Sequence, residues 1–119
     1  MHKLIFNARL TKDAEQRFTN DGKAVLDLSF AVNDWNGKEK TTLWIKGALW
    51  GKRAESDFAQ YLTKGTPVVV DGRLLHKDGN PRTYQTNAGE TRAGFEILVV
   101  DIDPFVAGKS ANGDEDIPF

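Results

Sequence analysis

Trp44, Lys46 and Trp50 fall at alternate positions of one run, Thr42 to Gly51, T-L-W-I-K-G-A-L-W-G. In an extended strand successive side chains point to opposite faces, so these residues share one face with Thr42 and Ala48. The odd positions Leu43, Ile45, Gly47 and Leu49 give the other face, apolar throughout and fit for a core. Two indoles and an ammonium facing water are costly to leave bare. They suit a flat, aromatic, anionic ligand, since nucleic acid bases stack on aromatic rings while lysines meet the phosphates. The same indoles would also serve to cap a second core or a subunit interface, and the strand alone leaves both readings open.

Further residues of the same two kinds lie nearby in sequence. Trp35, Lys38 and Lys40 precede the strand, Lys52 follows it, and Arg82 and Tyr84 stand in a later polar excursion. Together with Trp44, Lys46 and Trp50 they form the candidate nucleic-acid-binding set. Stacking contributes ~1–3 kcal/mol per base and tolerates any sequence. Trp35 also reads as a loop anchor and Tyr84 as hairpin packing. No stretch is both helical and basic enough to enter a duplex major groove.

Charge agrees with a local rather than a global attraction. The chain is −1 overall, but residues 33–53 hold five basic and two acidic side chains, so positive charge gathers around the tryptophans. Residues 104–119 hold one lysine and three acids, leaving the preceding 103 residues nearly neutral.

Catalytic chemistry finds little support. His2 and His76 sit far apart and lie in no ligand spacing, and cysteine is absent, which removes thiolate chemistry and any disulfide framework. Neither a G-x-x-x-x-G-K-[ST] phosphate loop nor a G-x-S-x-G elbow occurs. Asp114, Glu115 and Asp116 could chelate a divalent ion, but solvated charge explains them more simply. We expect no enzyme, no cofactor and no metal. A metal-dependent nuclease and a barrel that binds RNA or assists a primosome are the alternatives to single-strand binding.

The 119 residues, 28% of them charged, fit one soluble domain. Cysteine absence fits a cytoplasmic setting, and the sequence predicts neither a signal peptide nor a membrane span. Alternation predicts a first strand over Leu4–Leu10, with Thr11 to Phe18 ambiguous, and a second over Val25–Val32 after the Asn20-Asp21-Gly22 turn. Asn33 to Lys40 reads as a hairpin loop leading into the tryptophan strand. Ala54, Phe58, Tyr61 and Leu62 recur at helical spacing, and Lys64-Gly65 ends that helix. A fourth strand runs from Val68 to about Leu75, His76 to Arg92 reads as one protruding hairpin, and Phe95, Ile97 and Val99 face a core from a fifth. Three strands, one helix and two strands suit an all-β OB-fold, a five-stranded Greek-key barrel that binds oligonucleotides on one face. We assign residues 1–103 to this domain and 104–119 to a disordered tail. The tail ends Asp114, Glu115, Asp116, Ile117, Pro118, Phe119. An acidic solubilising tail accounts for the acids but not for the apolar end. A stiff Pro-Phe terminus with its carboxylate suits a basic-rimmed pocket on a partner protein.

These features together resemble the bacterial single-stranded DNA-binding protein family, including its phage and plasmid members. The matching stretches are D-A-E-Q-R-F at Asp13–Phe18, Asp21–Val25, Trp44 with Trp50-Gly51-Lys52, and Tyr61–Gly65 leading into V-V-V-D-G-R-L at Val68–Leu74, plus the acidic tip. The resemblance implies binding of single strands without sequence preference during replication, repair or recombination. It also implies a homotetramer, with a dimer as the alternative, and recruitment of partner proteins by the tip. Trp35, Trp44, Trp50 and Tyr84 fall where the family places base-stacking aromatics. Three positions depart from the family pattern: Ala8 replaces a usual glycine, Ala14 a common proline, and Ile45 a frequent histidine near family subunit contacts. The linker before the tip is shorter than usual, which points to a phage or plasmid version.

Overall fold

Alternation carries through from the sequence into the folded chain wherever one face of a strand is covered. A computed structural model describes residues 1–105, and the acidic tip Asp114–Phe119 lies outside the described residues. The strands are β1 (Leu4–Leu10), β2 (Glu15–Phe18), β3 (Ala24–Asn36) and β4 (Glu39–Trp50). A four-residue helix α1 (Lys52–Glu55) and a 3-10 turn (Asp57–Tyr61) follow. Then come β5 (Pro67–Leu74), β6 (His76–Lys77), β7 (Asn80–Pro81), β8 (Thr83–Gln85), β9 (Thr91–Ala93) and β10 (Phe95–Pro104). Among the described residues no helix is long and apolar enough to cross a membrane.

The main sheet runs β1-β5-β10-β4-β3, and β1 returns to pair with β3 through Arg9↔Ala31 and Leu10↔Phe30. Five strands therefore close on themselves, with β2 attached along β3. Neighbours are antiparallel except β4 and β10, which run parallel. This is the OB-fold barrel, with helical residues between its third and fourth barrel strands.

The core fills mostly from the expected positions, but Phe95, read as facing it, is exposed because it lies beyond the end of the β5 pairing. Leu26, Leu28 and Phe30 of β3 and Ile45 and Leu49 of β4 are buried, joined by Val68 and Val70 of β5 and Ile97, Val99 and Ile102 of β10. Phe6 meets Phe30 edge-on, with ring centroids 5.7 Å apart. Ile102 keeps contact with the core because a bulge between Val99 and Asp101 shifts the alternation by one residue. Val100, at that bulge, is exposed.

Three local readings are corrected. Asn33 to Lys40 is not a loop: β3 and β4 pair without interruption from Val25↔Trp50 to Asn36↔Glu39, turning only at Gly37-Lys38. Gly37 takes the first corner at φ +68, where a side chain would be strained. The helix read over 54–62 is broken at Ser56, whose backbone is extended and whose hydroxyl caps Phe58 N at 3.1 Å. Ala54 and Leu62 are still buried, while Tyr61 is exposed. The excursion after Leu75 is two hairpins, β6–β7 and β8–β9. Asp78 and Gly79, at φ 52 and 84, close the first hairpin tightly, so Arg82 sits at the joint between the two hairpins.

Gly47 is where β4 lies closest to the core beneath it. A Cβ there would meet Val99 Cγ2 at 2.8 Å and Phe30 Cε2 at 2.9 Å. We expect Gly47→Ala to destabilise the domain by ~1–3 kcal/mol through overpacking. Calorimetry should show melting lowered by several degrees for each kcal/mol, at about 4–8 °C apiece for a domain this size. An unchanged melting point would mean that Phe30 repacks freely.

Candidate nucleic-acid interface

Cross-strand pairing puts more residues on the tryptophan face than β4 alone reveals. Directly opposed residues of an antiparallel pair share a face. Trp50 stands opposite Val25, Lys46 opposite Ser29, Trp44 opposite Ala31, and Trp35 opposite Lys40. All three indoles thus project from the outer side of the β3–β4 ribbon. Trp44 and Lys46 stand beside small neighbours, which leaves room above the sheet.

The indoles are open to solvent: Trp35 is 66% exposed, Trp44 63% and Trp50 45%. Trp44 and Trp50 lie six residues apart on one strand, about 20 Å at strand rise. Trp35, opposite Lys40, lies about 13 Å from Trp44 in the other direction. The three rings form a row along the ribbon rather than a cluster. Lys38 stands at the ribbon's turn.

Two grooves flank the row. One is lined by Trp35, Lys40, Asn33, Ala31, Asn7 and Arg9. The other brings Trp44 and Lys46 together with Tyr84 and Phe95. Tyr84 belongs to β8 and is 51% exposed, so the excursion folds back toward the β4 face. Its ring edge comes within 3.7 Å of where a Cβ on Gly94 would stand. Trp50 and Lys52 lie at the opposite end, where β4 gives way to α1, and line neither groove.

The acids on this face are paired with bases. Asp27 Oδ2 accepts from Arg17 Nε at 2.7 Å, and this hydrogen bond, then the carboxylate's charge, raises the Arg17 guanidinium above its usual range. Glu96 lies beside Lys46 in the parallel register and has Arg82 Nη1 3.6 Å from its Oε1. Arg82, a member of the candidate binding set, therefore has a carboxylate partner.

Three residues near the site were missed by sequence reasoning. Arg9 joins the Trp35 groove because β1 closes onto β3, with Nη1 donating to Gly65 O at 3.0 Å. Glu96 and Phe95 join because β10 runs parallel to β4. Only strand order could reveal them, and alternation within one strand does not contain it. The departures from the family pattern also find places. Ala14 N donates to Leu62 O at 2.9 Å, a bond no proline could make, and Ile45 is buried in the chain's own core.

Residues 1–105 match the single-strand binding protein family. The single-stranded DNA-binding protein of Paenarthrobacter aurescens is 38% identical over 104 residues, covering 80% of this chain and 56% of that protein. That of Borreliella burgdorferi is 34% identical over 116 residues, covering 92% and 73%. The chain spans a little over half the length of its Paenarthrobacter relatives. Among solved structures, the Plasmodium falciparum SSB complex with ssDNA superposes with a TM-score of 0.70 at 23% identity. That match covers 89% of this chain and 96% of the other, and it bears on the fold alone.

The Arg82–Glu96 pair gives a direct test of the electrostatics. Glu96→Gln would leave Arg82 and Lys46 without a competing carboxylate. A dT oligomer should then bind roughly two- to fivefold more tightly at low salt, the scale of an exposed ion pair. The gain should fade as salt is raised. Unchanged affinity in an anisotropy titration would mean that Arg82 does not face the ligand.

Proposed function

Because the chain belongs to the single-strand binding protein family, we propose that it binds single-stranded DNA without sequence preference and acts by contact rather than catalysis. The observation that carries this reading is the row of exposed indoles on the outer face of β3–β4, with Tyr84 folded toward it. That face and the loop between the last two barrel strands are where OB-folds take oligonucleotides.

In this reading Trp35, Trp44, Trp50 and Tyr84 stack on bases, each contact contributing ~1–3 kcal/mol. Lys38, Lys40, Lys46, Lys52 and Arg82 meet phosphates. Residues 1–103 form the binding domain, and 104–119 form a tail whose tip, Asp114 to Phe119, docks onto replication, repair or recombination proteins. The chain works as a homotetramer, with a dimer as the second possibility. Exposed Ile5 and Val69, on neighbouring strands of the far side, support association of copies.

Trp44→Ala should weaken dT-oligomer binding by ~1–3 kcal/mol while leaving melting nearly intact, because the ring is mostly exposed. Wild-type tryptophan fluorescence should quench strongly on titration. Should the variant unfold, and DNA leave the fluorescence unchanged, the rings would belong to a packed interface instead.

Deleting Asp114–Phe119 should leave stability unchanged and DNA affinity equal or slightly higher at low salt, since the acids can compete for Lys38, Lys40 and Lys46. It should abolish pull-down of replication or repair proteins, and Phe119→Ala should do nearly the same. Capture of the same partners by the truncated chain would sink the docking role.

A further inference from the structure

Phe95 has the sequence phase of a core residue and the surroundings of a ligand contact. It lies two and four residues before Ile97 and Val99, both buried, yet it is 56% exposed. The β5–β10 register begins at Leu74↔Ile97, two residues past Phe95, so no β5 residue pairs with it. No strand covers the ring on the β5 side, which leaves it facing solvent.

Two clefts meet at this residue. One is the groove of Trp44, Lys46 and Tyr84. The other is predominantly apolar, lies between Leu74 and Pro81, and includes His2 and His76. The segment Ala93–Glu96 lines both, so they join across the start of β10. The second cleft also has defined polar groups. His2 Nε2 accepts from Leu74 N at 2.8 Å, and His76 Nδ1 accepts from Gly79 N at 2.8 Å. A neutral imidazole that accepts at one nitrogen carries its proton on the other. His2 Nδ1 and His76 Nε2 are therefore N–H donors for base carbonyls or phosphate oxygens.

We propose that Phe95 is a further base-stacking residue, and that the strand crosses it to lay an unpaired base in the cleft between Leu74 and Pro81. This rests on the single-strand-binding reading and extends its path. A base fits better than a second copy of the chain. The cleft continues a groove already lined by aromatic and basic side chains, its two imidazoles offer donors suited to carbonyl and phosphate oxygens, and the Glu96 carboxylate at the junction is paired with Arg82.

The test compares Phe95→Ala and Phe95→Leu with Trp44→Ala in the full chain. Affinity for a dT oligomer is measured by anisotropy and mass by light scattering. Both Phe95 variants should bind about tenfold more weakly, the size of one base stack, with assembly mass unchanged. Phe95→Tyr should bind like wild type. A dT oligomer carrying 5-iododeoxyuridine should photo-cross-link to the Phe95 peptide. If Trp44→Ala weakens binding while both Phe95 variants do not, the proposed path is overturned and the tryptophan reading stands. If none of the variants weakens binding, both fall together. A change in assembly mass with loss of the cross-link would make the cleft a contact between copies and would also overturn the proposal.

Discussion

The approach of β4 to the Phe30 ring and Val99 at Gly47 is the contact on which the rest of the barrel depends. Phe30 is the largest fully buried side chain, and Val99 and Ile97 reach the same point from β10. Without a Cβ at Gly47, β4 lies low enough over the ring to pair with β3 on one edge and β10 on the other. Gly72 makes a second close approach, on β5, where a Cβ would meet the Leu98 carbonyl oxygen at 2.8 Å. The two glycines bring three strands together on one small core, and the tryptophan row takes its position from β4.

The electrostatics of the outer face follow from this placement. Closing the barrel brings Glu96 beside Lys46, while Arg17 and Asp27 meet across β2 and β3. The bound acids cancel much of the local charge, and Lys38 and Lys40 remain toward the ribbon's turn. A ligand face of this kind attracts an anion weakly at a distance and holds it by ring contact at short range. Paired surface charges contribute little free energy, whereas each stacked base contributes ~1–3 kcal/mol.

How much of this was legible in the sequence depended on whether a strand had unlike faces. Thr42–Gly51 was readable because Ile45, Gly47 and Leu49 are buried while Thr42, Trp44, Lys46 and Trp50 are exposed. The ribbon of Asn33–Asn36 with Glu39–Thr42 was not, since both of its faces are exposed and backbone pairing leaves no mark on side-chain type. Ser56 disrupted a helical period that the apolar residues obeyed, because its hydroxyl offered the backbone a competing partner. Phe95 misled for another reason: it lies beyond the core's edge, where β5 has ended, so strict alternation assigned it to the interior. Of the candidate site, the four exposed aromatic residues were readable by type, whereas Arg9 and Glu96 depended on pairing between strands distant in sequence.

The two-residue turn at Gly37-Lys38 also bears on the order in which the protein assembles. β3 and β4 zip outward from that turn, whereas β1 must find β5 across separations running from Arg9↔Pro67 to Leu4↔Gly72. Loop-closure entropy grows as the logarithm of length, so the longer closure costs about 2–3 kcal/mol more before any contact offsets it. Topology of this kind favours early local hairpins and late long-range closure. The expected sequence of events begins with the ribbon and ends with the barrel. A chain still completing its fold would then already carry its indoles along one side, before the structure that holds them has closed.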